Sequence, residues 1–133
     1  MDYTRKCMEQ KLLSFSLYSS APEELKRFLS EVLSLETESG VGLFRVKMGE
    51  LAIDIFQGDS PPMMLQWELS LESWYDLAAR WEFFCFRYAE GQPTREVTPL
   101  GLRFTSTDGH MWFVKPPAHI TTCENPSIPV RNC

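Results

Sequence analysis

The sequence has no long apolar run and comparatively little positive charge. Its 133 residues contain 13 Lys and Arg against 18 Asp and Glu, which gives a formal net charge of -5 at pH 7. Nucleic-acid surfaces need clustered Lys and Arg to displace counterions, so this balance argues against a nucleic-acid partner. No segment is long enough to cross a bilayer, and residues 1–11 lack the apolar core of a signal peptide. We therefore expect a cytoplasmic protein that binds neither nucleic acid nor membrane.

The cysteines form no close CxxC pair, so a common signature of zinc and redox sites is missing. Free thiols are the expectation for all four: Cys7, Cys85, Cys123 and Cys133. His119 could be grouped with Cys123 and Cys133, but the spacing matches no common zinc pattern. We expect no metal cluster in this segment.

Signatures of nucleotide binding and hydrolysis are also absent. The sequence has no P-loop, GxGxxG, GxSxG or HExxH motif, and neither histidine belongs to a recognisable nucleophile–base arrangement. His110 follows Asp108-Gly109, a pair suited to a tight hairpin because glycine accepts positive φ. Polar residues beside a turn are usually solvated, so we interpret His110 as a solvent-exposed hairpin residue.

What is present suffices for one domain with a substantial core, since 44% of the residues are hydrophobic. Residues 12–18 alternate apolar and polar side chains and predict a half-buried strand. Ser20 and Glu23 have the spacing of a capping box and predict the start of a helix. The apolar residues of that helix fall on one face: Leu25, Phe28, Leu29, Val32 and Leu33.

Residues 42–58 predict two strands around a Gly49-Glu50 turn. A two-residue turn at this position would place six apolar side chains on the face that meets the helix: Phe44, Val46, Met48, Leu51, Ile53 and Ile55. The opposite face would then carry Arg45 directly across from Asp54.

After the connector GDSPP the pattern restarts. Residues 65–72 alternate strictly and predict a strand, and Ser73 is the predicted cap of a second helix, with Asp76 in its first turn. The apolar stripe of this helix has seven members: Trp74, Leu77, Ala78, Trp81, Phe84, Cys85 and Tyr88. Two further strands are predicted on either side of Asp108-Gly109.

The order of strand, helix and strands thus occurs twice. Module one covers about residues 11–58 and module two about residues 64–116, and residues 117–133 form a tail to this single domain. The first helix carries Phe28-Leu29 followed by Leu33-Ser34, and the last hairpin carries the turn 106–109, Ser-Thr-Asp-Gly.

These motifs and their order resemble those of the vicinal oxygen chelate superfamily. That superfamily includes glyoxalase I, extradiol dioxygenases, and fosfomycin and bleomycin resistance proteins. Its members have a Phe-Tyr pair and a Leu-Gly in the first helix and an Asp-Pro-Asp-Gly turn near the end. The resemblance implies an α+β fold in which two βαβββ modules form a curved mixed sheet, with the helices on its outer face.

The resemblance to metal-dependent members of the superfamily implies four metal ligands, one His or Glu on each of four strands, all facing a shared trough. In this sequence the four positions fall on Ser14, Asp54, Gln66 and Phe113. Asp54 is the one good anionic ligand, Gln66 is a weak neutral one, and Phe113 cannot bind a metal. If Arg45 is its neighbour, Asp54 is also satisfied without metal. We therefore expect no cofactor, with a divalent metal at a displaced site as the alternative.

The implied trough would combine polar groups with aromatic rings, as small-molecule pockets do. Its predicted ligand-binding residues are Ser14, Ser16, Tyr18, Asp54, Phe56, Gln66, Glu68 and Phe113. Glu68, if enclosed beside Phe113, is the candidate general base, whereas pairing with Lys115 would make it inert. The alternative is that these polar faces are simply the solvent sides of two sheets.

Three functions are compatible with this sequence. The first is a metal-free protein that binds a small organic molecule in the trough, similar to the bleomycin-resistance type. The second is a lyase or dioxygenase with a displaced metal site that includes Asp54, Gln66 or Glu68. The third is an interaction protein whose trough is filled by its own side chains. Related proteins pair, and together with the aromatic residues of the second half this predicts a homodimer.

Overall fold

The computed structural model describes residues 13–118 of the chain. Two βαβββ modules follow one another, as predicted. The elements are β1 (Leu13–Ser19), α1 (Pro22–Glu31), β2 (Glu36–Gly40), β3 (Leu43–Met48), β4 (Leu51–Gln57), β5 (Met64–Glu68), α2 (Leu71–Arg87), β6 (Thr94–Thr98), β7 (Gly101–Thr105) and β8 (Met111–Lys115). Neither helix in this part of the chain is long and apolar enough to span a membrane.

The strands form two mixed sheets with the same topology. Sheet one has the order β1-β4-β3-β2 and sheet two the order β5-β8-β7-β6. In each sheet the first strand pairs in parallel with the last strand of its module, and the other pairs are antiparallel. The α+β fold is therefore confirmed, although within residues 13–118 strand pairing stays inside each module instead of forming one continuous sheet.

One hydrophobic core serves both modules. The ring of Phe28 on α1 lies 6.2 Å from that of Phe84 on α2 and 5.2 Å from that of Phe104 on β7, measured between centroids. The apolar faces of both sheets contribute to the same buried cluster, with Phe44, Ile53 and Ile55 from sheet one and Leu102, Trp112 and Val114 from sheet two. The helices pack against these apolar faces, and the polar faces of the sheets lie on their opposite sides.

The hairpin of module one has the predicted register. Its strands pair Met48 with Leu51, Val46 with Ile53, and Phe44 with Ile55. All five residues of the stripe predicted for the first helix are buried: Leu25, Phe28, Leu29, Val32 and Leu33. The helix ends earlier than predicted, however, since Val32 is its C-cap residue and Leu33 follows it. Alternation along strands and the helical repeat were enough to establish these contacts.

The predicted capping box of α1 is wrong. The N-cap residue is Ala21, and no side chain caps the helix. Ser19, which is fully buried, accepts a hydrogen bond from the Ala21 N–H at 3.1 Å and donates one to Asp108 at 2.5 Å. The turn before α1 is thus stabilised by a serine of β1 that reaches module two, and Ser20 does not take this role.

The predicted start of α2 is also wrong. Strand β5 ends at Glu68, and Ser70 is the N-cap residue, with its hydroxyl accepting from the Ser73 N–H at 3.2 Å. The alternation over residues 65–72 predicts too long a strand, because Leu71 already belongs to the first turn of the helix. The buried face of α2 agrees with the prediction at Trp74, Leu77 and Phe84, while the remaining stripe members are partly exposed.

The predicted strands were incomplete in both modules. Strand β2, Glu36–Gly40, is almost entirely polar because it is the edge strand of sheet one and pairs only with β3. The segment predicted as one strand before Asp108 is divided into β6 and β7. Thr98 makes the turn between them, since its hydroxyl accepts hydrogen bonds from the N–H groups of Leu100 and Gly101.

Candidate functional site

The polar face of sheet one brings together five of the predicted ligand residues: Ser14, Ser16, Tyr18, Asp54 and Phe56. The parallel pairing of β1 with β4 places Ser16 beside Asp54 and Tyr18 beside Phe56. The Tyr18 and Phe56 rings lie 5.8 Å apart between centroids. All three β1 side chains are exposed, Tyr18 by 47%. This face therefore presents hydroxyl groups and an aromatic pair to solvent.

Asp54 is bound by Arg45 in the predicted cross-strand pair. Arg45 Nε lies 2.7 Å from Asp54 Oδ1, and Nη2 lies 3.2 Å from Oδ2. Hydrogen bonds from this guanidinium hold the pKa of Asp54 below its ordinary value. A cavity of about 200 Å³ adjoins the pair and is lined by Glu38, Ser39, Gly40, Leu43, Arg45 and Asp54.

The polar face of sheet two carries the other three predicted residues. Gln66 lies beside Phe113, and Glu68 lies beside Lys115, in the parallel pair of β5 and β8. Phe113 is only 8% exposed, whereas Gln66 and Glu68 are exposed. The enclosure predicted for Glu68 is thus absent from the described structure, where its carboxylate accepts a hydrogen bond from the Ala118 N–H at 3.1 Å.

A cavity of about 400 Å³ lies where the two modules meet. Module one contributes Leu35, Met48, Gly49 and Leu51, from the start of β2 and the β3–β4 turn, and module two contributes Leu65, Gln66, Trp67 and Glu68 from the edge strand β5. The walls are mostly apolar, with one amide and one carboxylate. Of the eight predicted ligand residues, Gln66 and Glu68 line this cavity and the other six do not.

The apolar walls of this cavity were not identified from the sequence as part of a site. Met48 and Leu51 were assigned to the core, and in the structure both are only half-buried. They form the last pair of the hairpin before its turn. A large apolar residue next to a tight turn is the signal that could have indicated a partly open wall.

A buried polar network joins the modules at the turn after β7. Asp108 accepts hydrogen bonds from the hydroxyls of Ser19 and Ser106, both at 2.5 Å, and from the His110 N–H at 3.1 Å. The Ser106 hydroxyl also accepts from the indole N–H of Trp112 at 3.0 Å. The family-like turn is therefore a structural connection between modules.

His110 is buried in this junction, so the solvent-exposed position expected for it is wrong. The Met63 N–H donates to Nδ1 at 3.0 Å, which requires an unprotonated Nδ1. Nε2 then carries the proton and donates it to the Tyr18 carbonyl oxygen at 2.7 Å. Both ring nitrogens of His110 are hydrogen-bonded to backbone groups. Neither is free to exchange a proton with a ligand, which argues against a catalytic role.

The metal that the family resemblance implies does not fit the side chains present. Among residues 13–118, no three His, Cys, Asp or Glu side chains lie close enough to bind one ion. Asp54 is engaged by Arg45, and burial raises the pKa of the Cys85 thiol, which favours its protonated form. Gln66 and Glu68 of the predicted displaced site are exposed on β5. The group of His119, Cys123 and Cys133 lies outside the described residues.

Comparison with solved structures decides which fold this is. The oxidase ChaP-H2 matches with a TM-score of 0.62 at 17% identity, over 86% of this chain and 98% of that one. The fosfomycin resistance protein FosX from Listeria monocytogenes matches with a TM-score of 0.59 at 16% identity, over 84% and 94%. This chain has the vicinal oxygen chelate fold.

A lactoylglutathione lyase from Agrobacterium tumefaciens shares the fold with a TM-score of 0.55 at 14% identity, over 82% of this chain and 95% of that one. No protein-family model and no curated protein sequence matches this chain. At these identities the likeness establishes the vicinal oxygen chelate fold alone. The four positions expected from the family resemblance are a hydroxyl, an arginine-bound carboxylate, an amide and a buried ring: Ser14, Asp54, Gln66 and Phe113.

Proposed function

We propose that this protein binds a small organic molecule in the cavity between its two modules, without a metal ion. The observation that supports this is the cavity of about 400 Å³, to which both modules contribute apolar walls and module two contributes Gln66 and Glu68. Small-molecule sites have this size range and this mixture of apolar walls with a few polar groups. A fosfomycin resistance protein and a lactoylglutathione lyase among the structural neighbours support a small-molecule ligand.

The lining favours a neutral or cationic ligand with an apolar or aromatic part. Trp67 offers an aromatic surface, and Met48 offers a polarisable thioether that adapts to irregular shapes. Gln66 can donate and accept hydrogen bonds, while Glu68 only accepts them when ionised. No Lys or Arg lines the cavity, so an anionic group would face Glu68 without a counter-charge.

The proposal includes a homodimer and, on the sequence evidence given above, a cytoplasmic location. Sedimentation equilibrium tests this directly. We expect a mass twice the 15.4 kDa of one chain, and a monomer at all concentrations would contradict the dimer.

Thermal-shift titration tests the ligand site. The probes are bleomycin and a panel of planar aromatic amines, with the anions fosfomycin and S-lactoylglutathione as compounds that the lining disfavours, and a bound probe raises the melting temperature as its concentration exceeds its dissociation constant. Leu51→Trp should fill the cavity and abolish the shift. Gln66→Leu and Glu68→Ala should each weaken binding about tenfold, because each removes a hydrogen-bonding group. Tyr18→Ala, on the polar face of sheet one, is the matched control and should bind normally.

Three results would overturn the proposal. Binding that is lost in Tyr18→Ala but unchanged in Leu51→Trp would move the ligand to the polar face of sheet one. No shift with any probe, together with a more stable Leu51→Trp variant, would make the cavity a packing void. Stoichiometric Ni, Zn, Fe or Mn that is lost in Asp54→Ala would favour the metal-dependent lyase or dioxygenase.

A further inference from the structure

Helix α2 has a second apolar face, which no other part of residues 13–118 covers. Four of its side chains are exposed: Leu71 by 40%, Tyr75 by 45%, Phe83 by 59% and Phe86 by 87%. With the exposed Ala79 between them, they follow one another at intervals of four or three residues and so lie on one side of the helix. Single exposed apolar residues are ordinary, but this row extends over about 22 Å. We call it the α2 outer face.

The charged groups beside this row are carboxylates. Three of them are exposed on the same side of the helix: Glu72, Asp76 and Glu82. The helix contains no lysine, and its two arginines are engaged elsewhere. Arg80 donates to backbone carbonyl oxygens at 2.7 and 3.1 Å, and Arg87 forms an ion pair with Glu31 at 3.4 Å. The free charge of the α2 outer face is therefore negative.

We propose that the α2 outer face is a docking surface for a cationic amphipathic helix of another protein. Such a helix would place its apolar side on Tyr75, Phe83 and Phe86, because aromatic side chains contribute most of the energy of interfaces. Its Lys and Arg side chains would meet the three carboxylates, which select for a positive partner and accelerate association. The 17 residues of α2 give room for a partner of four to five turns.

The same charges disfavour the other occupants of an apolar helix face. Two copies of this protein that paired through α2 would bring two sets of carboxylates together, with no free cation on either face. The surface of an anionic membrane would repel these carboxylates as well. Each chain carries a net charge of -5, which adds to the repulsion in both cases.

Fluorescence anisotropy with a defined probe tests this surface on the full-length protein. The probe is a labelled 18-residue peptide of Leu and Lys, with Leu at helical spacing on one side. We expect it to bind, and we expect at least about tenfold weaker binding to the Phe83→Ser/Phe86→Ser variant. Glu72→Gln/Asp76→Gln should weaken binding several-fold and reduce its dependence on salt. Since the four substituted side chains are all exposed, both variants should keep the wild-type melting temperature.

Two controls make the result specific. Val41→Ser and Leu100→Ser remove apolar side chains that are 100% and 71% exposed elsewhere on the protein, and they should bind the peptide normally. A peptide of the same Leu pattern with Glu in place of Lys should not bind. Equal binding of both peptides, or unchanged binding in the Phe83→Ser/Phe86→Ser variant, would refute the proposal.

The other occupants have their own readouts. A dimer in sedimentation that Phe83→Ser/Phe86→Ser converts to monomer would identify a second copy as the occupant. Binding to phosphatidylserine vesicles that the same variant abolishes would identify a lipid surface. Either result would overturn the proposal of a cationic helix.

Discussion

The two modules share one topology but use their helices differently. Helix α1 has 10 residues and no side-chain cap, and its apolar stripe is buried in a core that includes Phe84 and Phe104 of module two. Helix α2 has 17 residues and a Ser70 cap, buries one stripe and leaves a second one exposed. Repetition of a fold unit thus reproduces the order of strands and helices without reproducing their surfaces. The surfaces in which the modules differ, such as the exposed stripe of α2, are therefore the places to look for binding partners.

The polar faces of the sheets differ in the same way. Sheet one has the Arg45–Asp54 pair on its central strands and, next to it, Lys47 and Glu38 at 2.9 Å. On sheet two, Phe113 occupies the central strand and is nearly covered. Sheet two carries an ion pair as well, between Arg103 and Glu96. The two polar faces therefore differ mainly in the covered ring of Phe113, and sheet two contributes the polar side chains of the cavity.

The largest expected effect tests whether the modules unfold together. Phe28→Ala should lower the free energy of unfolding by about 3–5 kcal/mol, because it removes a ring at the centre of the shared core. All four tryptophans lie in module two, so tryptophan fluorescence in urea reports that module while the substitution is in module one. A fluorescence midpoint that stays at the wild-type value would contradict the shared core. Phe86→Ala, an exposed phenylalanine of α2, should cost less than about 0.5 kcal/mol.

A smaller loss should follow when the polar junction between the modules is altered. Asp108→Asn replaces an oxygen that accepts hydrogen bonds with an NH₂ group, so at least one of the Ser19 and Ser106 hydroxyls must turn away. We expect a loss of about 2 kcal/mol in urea denaturation. Asp59→Asn, at an exposed aspartate of the connector, serves as the control and should change stability little. Equal losses in the two variants would argue against the junction.

The residue that follows α1 offers a stabilising substitution in module one. Ser34 follows α1 with φ of 57°, a left-handed conformation that favours glycine, and the family resemblance has glycine at this position. Ser34→Gly should raise the free energy of unfolding by about 0.5–1 kcal/mol. Ser34→Ala should give no such gain, since alanine resists this conformation. Thermal denaturation of the three proteins measures the difference.

The smallest effect concerns the ion pair of sheet one. The pKa of Asp54 in the folded protein is below its ordinary 3.8, so the pair stabilises the fold above that pH. This contribution is lost as the pH falls through the lowered pKa, where the folded carboxylate takes up its proton. Arg45→Gln should remove this part of the acid dependence, measured by urea denaturation between about pH 2 and pH 6. Arg103→Gln, which removes the exposed ion pair with Glu96 on sheet two, is the comparison variant. An identical change of acid dependence in both variants would contradict a particular contribution from Asp54.

Those parts of the fold that depend on local periodicity could be predicted from the sequence. The hairpin of β3 and β4, the stripe of α1 and the Arg45–Asp54 pair all follow from alternation or from the helical repeat. Strand β2 had no such signal, because an edge strand with solvent on both sides needs no apolar residues. Its pairing with β3 depends on contacts between strands and not on a pattern within β2 itself.

The site was less predictable because it depends on contacts between modules. His110 is engaged by Met63 and Tyr18, which are 47 and 92 residues away in the chain, and nothing near His110 in sequence indicates this. The cavity likewise combines the turn between β3 and β4 with the edge of β5. A resemblance that transfers positions strand by strand identified Gln66, and the alternation of β5 added Glu68, but the apolar walls were missed.

The contacts among the rings of Phe28, Phe84 and Phe104 have a consequence for fragments of the chain. Neither repeat can bury its aromatic residues without the other, so a protein cut between them should remain a single folding unit. Fragments produced separately should recover the native state only when they are mixed. The two modules are mutually dependent for folding.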